Sequence, residues 1–126
     1  YVSLHRAEGL GLGLAESMYL GKPVIGTGYS GNLQFMNESN SCLVNYRLVD
    51  IPRGAYPHAD SQQWAEPDVD HAAQSMEKIA RDSVFREQIA TRGQEFVRSQ
   101  MSPTAASHAL SSELQRIREM LASRRQ

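Results

Sequence analysis

The fold is decided by Ser3-Leu4-His5-Arg6-Ala7-Glu8-Gly9-Leu10-Gly11-Leu12-Gly13-Leu14-Ala15-Glu16-Ser17-Met18, followed by Tyr19-Leu20-Gly21-Lys22-Pro23-Val24-Ile25-Gly26-Thr27 and running on to Gly31. Glu8 and Glu16 bracket seven residues, in which Gly9, Gly11 and Gly13 alternate with leucines. The alternation falls where a loop should become a helix. Such a turn leaves backbone N–H groups without intrahelical partners and lets the backbone come close to a ligand. Those groups and the helix dipole favour anions, phosphate above all. The reading is a phosphate-binding turn with one carboxylate just before it and one inside its helix. Gly9-x-Gly11-x-Gly13 does not fit Gly-x-Gly-x-x-Gly, which argues against a dinucleotide fingerprint.

Working outward, Tyr1–Leu4 reads as the end of a buried strand. The helix is predicted from about Gly11 to Leu20, with Leu12, Ala15, Met18 and Tyr19 facing a core. Gly21 is placed at the C′ position, and Pro23 cannot continue the helix. Val24–Thr27 is the next strand. Strand, helix and strand make a parallel βαβ unit with a right-handed crossover. Ser30 is expected to cap a short helix through Met36, and Cys42-Leu43-Val44 to form a third strand.

Residues 45–67 show no clear periodicity and are expected to be a long loop. It holds Tyr56, His58 and Trp64 among Pro52, Pro57 and Pro67, with Trp64 as a packing anchor ahead of a sugar-stacking platform. Residues 68–126 are expected to form three helices. Asp68 or Asp70 caps the first, whose stripe is Val69, Ala72, Ala73, Met76, Ile79 and Ala80. The second runs from about Ser83 to Ser99, with Phe85, Ile89, Phe96 and Val97 inward and Gly93 at a close contact. Ser102-Pro103 opens the third, striped by Ala106, Leu110, Leu114, Ile117 and Leu121. Arg116, Arg118, Arg124 and Arg125 read as a solvated face.

The 126 residues suffice for one domain and one core. With 13 basic and 14 acidic side chains the net charge is −1, so no global attraction to nucleic acid is expected. Cys42 is alone, which excludes an internal disulfide and suits a reducing compartment. No apolar run approaches the ~18 residues of a membrane span. A first residue other than Met, already in a strand, suggests a piece of a longer chain. His58, His71 and His108 are scattered, with no metal-ligand spacing.

Glu8-Gly9-Leu10-Gly11, then Ala15-Glu16-Ser17-Met18 and Gly21-Lys22-Pro23-Val24-Ile25, resembles the E-x7-E region of retaining, nucleotide-sugar-dependent glycosyltransferases. More specifically it resembles family 4 of the GT-B fold. It is dense over Ser3 to Thr27 and looser through Val44. Tyr56-Pro57 and Trp64-Ala65-Glu66-Pro67-Asp68 resemble a bacterial subgroup. The resemblance implies an α/β fold: half of a Rossmann-like C-terminal domain, with about three parallel strands and a helical second half. The parent would be a metal-independent, cofactor-free transferase. It would move a sugar, with retention, from a UDP- or GDP-linked donor to a saccharide or lipid-linked acceptor. It would sit in the cytoplasm or peripherally at the inner membrane face and serve polysaccharide biosynthesis. This piece alone would be inactive.

The implied site follows. Glu8 faces the donor sugar as the catalytic carboxylate. The N–H groups of Gly9, Leu10, Gly11 and Leu12 meet the diphosphate. His5 and Arg6 are further candidates, with Lys22 the remaining nearby cation. Ribose hydroxyls are donors, so an ionised carboxylate can accept from both, and Glu16 suits that role. Glu16 lies four residues from Leu12 and from Leu20, on a partly apolar face where burial would demand a partner. Read without a ligand, Glu16 is a half-exposed helix carboxylate and Glu8 a helix cap. The family has a glycine pair where this chain has Ser30-Gly31, and often a glutamate where it has Gln34 or Phe35. In the family the last helix often crosses to another domain. Left without that cover, its stripe would self-associate, wrap a partner chain, or fold back onto the two helices before it. Two rival readings remain: a non-catalytic α/β module binding a phosphorylated metabolite, and a structural piece that only associates.

Overall fold

A computed structural model describes residues 1–123. Arg124 and Arg125 of the expected solvated face lie outside them. Three short strands, β1 (Val2–Ser3), β2 (Ile25–Thr27) and β3 (Cys42–Val44), form a parallel sheet in the order β1-β2-β3. Val2 pairs with Ile25 and Ser3 with Gly26. Ile25, Gly26 and Thr27 pair with Cys42, Leu43 and Val44. The helix α1 (Leu12–Tyr19) joins β1 to β2, so the βαβ unit is present. It ends in a Schellman motif: Lys22 N–H donates to Ser17 O at 3.0 Å and Gly21 N–H to Met18 O at 2.9 Å, with Gly21 at φ 68°.

The sheet is covered on both faces. On one, Leu14, Ala15 and Met18 of α1 pack with Val24, Phe35, Met36 and Val97. On the other, Ile25 and Val44 pack with Ala72. Ala72 belongs to α2 (Val69–Arg81), and Val97 to α3 (Ser83–Gln100). Asp68 caps α2 by accepting from His71 N–H at 2.9 Å, and Asp82 caps α3 by accepting from Phe85 N–H at 2.9 Å. The result is a three-layer α/β arrangement with a helical C-terminal half.

The inward faces differ from those expected. Leu12 and Tyr19 are exposed, and Leu14 takes the core position instead. A helix with leucines on several sides leaves the choice to its neighbours. Here α3 meets α1 at Met18, through Gly93. Tyr1 and Val2 are exposed because β1 is an edge strand. Val69, Ala73, Met76 and Ala80 of α2 are exposed too, so its buried stripe narrows to Ala72, with Ile79 partly covered. Met76 and Ala80 border a cleft of about 240 Å³ beside Tyr1 and Val2, where no further strand covers them.

The expected loop over 45–67 is instead an antiparallel hairpin, β4 (Tyr46–Asp50) with β5 (Gln63–Pro67). Tyr46-Arg47-Leu48-Val49-Asp50 carries little alternation because β4 is exposed along almost its whole length, burial falling on Ala65 of β5. The ladder and its docking supply the order that periodicity does not signal. Arg6 docks β5: Nε and Nη2 donate to the two Glu66 oxygens at 2.8 and 3.0 Å, and the guanidinium lies 4.6 Å from the Trp64 ring centroid. Ala65 N–H donates to Arg6 O at 3.0 Å. Trp64 thus packs the hairpin through a cation.

The last helix, α4 (Pro103–Ser123), starts with Ser102 Oγ accepting from Ala105 N–H at 3.1 Å. It buries no residue, and its principal packing is against α3. Among the described residues no helix is long and apolar enough to cross a membrane.

Two expectations follow. A Cβ on Gly93 would lie 2.9 Å from the Asn40 carbonyl oxygen and 3.1 Å from Met18 Cε. Gly→Ala in an open helix stabilises by about 1 kcal/mol. Gly93→Ala should reverse that sign and destabilise by about 1–3 kcal/mol through overpacking, measured as a lower urea midpoint. The second concerns Glu66, whose pKa is held below the usual carboxylate range by its hydrogen bonds from Arg6. A carboxylate depressed in the fold contributes stability that is complete above its unfolded pKa and is lost as the pH falls through the folded value. The hairpin should therefore loosen from the loop after β1 as the pH falls below the ordinary glutamate value of about 4.3, a change that Trp64, the only tryptophan, reports by fluorescence. Glu66→Gln should weaken that acid step; an identical transition in the variant would exclude Glu66 as its source.

Candidate functional site

The glycine-rich turn lies between β1 and α1. Gly11 is the N-cap of α1, at φ 91° in the left-handed region, and it is buried. A Cβ there would meet Leu14 Cδ1 at 2.9 Å and Glu8 Cγ at 3.4 Å, so glycine is required twice over. No side chain caps α1. Among the described residues the amides of Leu12, Gly13 and Leu14 carry no hydrogen bond. They form the anion-favouring end of the helix. Leu10 packs inward against the Leu14 cluster.

A second turn backs the first. Ser30 Oγ accepts from Glu8 N–H at 2.9 Å and donates to Glu8 O at 3.0 Å, while Gly31 N–H donates to the same oxygen at 3.2 Å. A Cβ on Gly31 would overlap the Gly9 carbonyl. Ser30 holds φ 73° and ψ −144°, a region that glycine favours. Ser30 does stand before a short helix, the 3₁₀ turn Gly31–Gln34, but its hydroxyl does not cap it. That helix stops before Met36. Of Gln34 and Phe35, the first is exposed and the second is core.

The two glutamates differ in setting. Glu8 is half-buried, and its Oε1 accepts from Gly9 N–H at 3.1 Å. It therefore occupies one of the amides expected for the diphosphate, and it caps the loop rather than the first turn of α1. Glu16 is exposed, because the inward face of α1 runs through Leu14 and Met18. Its neighbours one turn away, Leu12 and Leu20, are 64% and 65% exposed, so the partly apolar face exists and faces outward. Among the described residues the Glu16 carboxylate has no ion pair or side-chain hydrogen bond.

Two of the three nearby basic side chains, His5 and Arg6, are committed elsewhere. His5 Nε2 lies 3.0 Å from Tyr29 O and 3.1 Å from Asn32 Oδ1. Both are acceptors, so Nε2 carries the proton and His5 ties the end of β1 to the second turn. Arg6 serves Glu66, and its pKa is raised chiefly by that hydrogen bond. Lys22 follows the far end of α1. Asn32, which sequence reading passed over, is fully buried and donates from Nδ2 to Thr27 O at 3.0 Å. Tyr46 also went unread; its ring stacks 5.1 Å from that of Tyr29.

A cleft of about 830 Å³ lies away from the turn. It runs along β3 and α2, past Glu38, Cys42, His71 and Lys78. Burial pushes the Cys42 thiol up, opposed by Lys78. Among the described residues no group of three His, Cys, Asp or Glu side chains could hold a metal ion. Asp68-Val69-Asp70 has the spacing of a carboxylate pair, but Asp68 is used as the α2 cap. Comparison with known families finds no family model that matches the chain, and comparison with curated proteins finds no match.

Ser30→Ala removes both bonds to Glu8 and keeps a side chain at positive φ. It should cost about 1–3 kcal/mol, read from the urea midpoint. Ser30→Gly loses the same bonds but relieves the backbone, and should cost less. Equal losses would mean that the conformation of Ser30 carries no strain.

Proposed function

We propose that the chain is the later part of the donor-binding domain of a retaining, family 4-like glycosyltransferase of the GT-B fold. The observation that carries the reading is the turn at α1: three amides without partners stand between a half-buried carboxylate and an exposed, unpaired one. The likeness of Glu8-Gly9-Leu10-Gly11 and Gly21-Lys22-Pro23-Val24-Ile25 to the E-x7-E region supplies the identity of the ligand.

On this reading the diphosphate of a UDP- or GDP-sugar meets Leu12, Gly13 and Leu14 rather than Gly9, whose amide Glu8 already holds. The α1 dipole balances part of its charge without a metal. Glu16 accepts from the ribose hydroxyls. Glu8 positions the sugar through hydroxyl contacts. Its bond from Gly9 favours that role over attack at the anomeric carbon, which needs an unhindered carboxylate. The diphosphate leaves with the electron pair of the anomeric C–O bond. It takes the proton of the incoming saccharide or lipid-linked hydroxyl on the same face, which retains configuration. The acceptor side of the site lies outside this chain, so the chain alone has no transferase activity. The enzyme works in the cytoplasm or at its membrane face.

In the enzyme carrying this chain, Glu16→Gln should weaken UDP or GDP binding by about 1.5–3 kcal/mol, roughly 10- to 150-fold, by isothermal titration. Glu8→Gln should mainly lower kcat. Unchanged nucleotide affinity in the Glu16 variant removes the ribose assignment. Nucleotide binding with no transfer to any saccharide would favour the non-catalytic phosphate-binding module.

A further inference from the structure

We infer that the β4–β5 hairpin straps the two loops of the turn together, and that Glu66 is a positioning residue which, through Arg6, sets the stance of the Glu8 loop and so turnover. The effect on turnover rests on the transferase reading proposed above; the strap does not. β1 ends at Ser3, and Glu8 is held by Ser30 and Gly31. Between them His5 is tied by its ring and Arg6 by the hairpin. Ala7 is exposed, so the path by which the chain enters Glu8 is fixed one residue earlier, at Arg6.

Arg6 is held at three points, all on β5. Its guanidinium donates to both Glu66 carboxylate oxygens and lies over the Trp64 ring, and its carbonyl oxygen accepts from the N–H of the fully buried Ala65. A two-point ion pair fixes the orientation of the guanidinium as well as its distance. The carbonyl belongs to the peptide joining Arg6 to Ala7, the link that leads into Glu8. Side chain and main chain of Arg6 are thus both committed to the ribbon, and its charge goes to the posture of the loop.

The hairpin reaches the second turn as well. Tyr46 of β4 packs against Tyr29, next to Ser30 in sequence. The contacts close a ring: Glu8 to Ser30, Tyr29 to Tyr46, across the ladder to β5, and from Glu66 back to Arg6. Residues joined in one network respond together when a member is changed. The Arg6–Glu66 pair is an exposed link of that ring, its side chains 49% and 32% exposed. One substitution can break it while the ladder and the buried Ala65 keep the hairpin folded.

Two measurements test the strap. In the whole chain, amide NMR of Glu66→Gln should show shifted Glu8 and Gly9 resonances and hydrogen exchange of the Glu8 amide faster by about fivefold or more, with Leu14 and Met18 unmoved. Changes confined to Arg6 and residues 46–67 overturn the proposal, whatever reaction the protein carries out. In the enzyme carrying this chain, Glu66→Gln should lower kcat about five- to tenfold and leave UDP or GDP affinity within about twofold. That loss should shrink to less than about twofold when Glu8 is already Gln, and Glu66→Asp, which keeps the charge, should recover part of it. An undiminished loss in the Glu8→Gln background means that Glu66 does not act through Glu8, and overturns its role in turnover. A wild-type enzyme that transfers no sugar refutes the transferase reading and the turnover claim with it; the strap then stands or falls on the NMR result.

Discussion

Gly31 lies against the Gly9 carbonyl with no room for a side chain between them, and Ser30 clasps both backbone groups of Glu8. This contact joins the loop after β1 to the loop after β2. Parallel strands position the two loops at the same end of the sheet, but the pairing of so few residues would hold them loosely. The clasp fixes the height of Glu8, and Gly11 then turns the chain into α1. His5 and Asn32 add a second tie on the same side, with the imidazole proton shared between Tyr29 O and Asn32 Oδ1. The direction in which the α1 amides point is thus set by backbone contacts and not by side-chain caps.

That construction has an electrostatic consequence. The positive potential at the turn comes from peptide dipoles alone, since Arg6 is turned to Glu66 and His5 to two neutral acceptors. Glu8 and Glu16 oppose it. A bare anion gains less here than at a turn lined by lysine or arginine. A ligand that brings hydroxyl donors beside its negative charge gains more, because each carboxylate then finds a partner. On the function proposed above, such a ligand is a phosphorylated sugar or nucleoside rather than inorganic phosphate.

Much of the sheet was legible. Glycines and Pro23 punctuate β1, α1 and β2, and Cys42-Leu43-Val44 is a short apolar run between breakers. Helix starts were legible where a side chain does the capping, as at Asp68 and Ser102. The orientation of α1 was not, because Leu12, Leu14 and Leu20 offer competing faces and only the approach of α3 decides among them. The hairpin was hidden for a related reason. A ribbon exposed along β4, in which only Ala65 is fully buried, has too small a buried face to impose alternation, and its docking depends on Arg6, some sixty residues away in sequence. At the site, glycine spacing showed the turn, whereas Ser30 showed only as an ordinary turn residue. Its work is long-range and takes place on the backbone of Glu8.

The hairpin leaves the domain where it enters it. Asp68 N–H donates to Asn45 O at 2.8 Å, and Asn45 N–H donates to His71 Nδ1 at 3.0 Å, so the chain closes across the base of the ribbon. The sheet and α2 meet at this closure without help from β4 or β5. The ribbon is in effect an insert with its own zipper, tied to the three-layer core through Arg6 and the buried Ala65. Its length and tip can therefore vary between related chains at little cost to the rest. Divergence in residues 46–67 would then say more about what the ribbon touches than about how the domain folds.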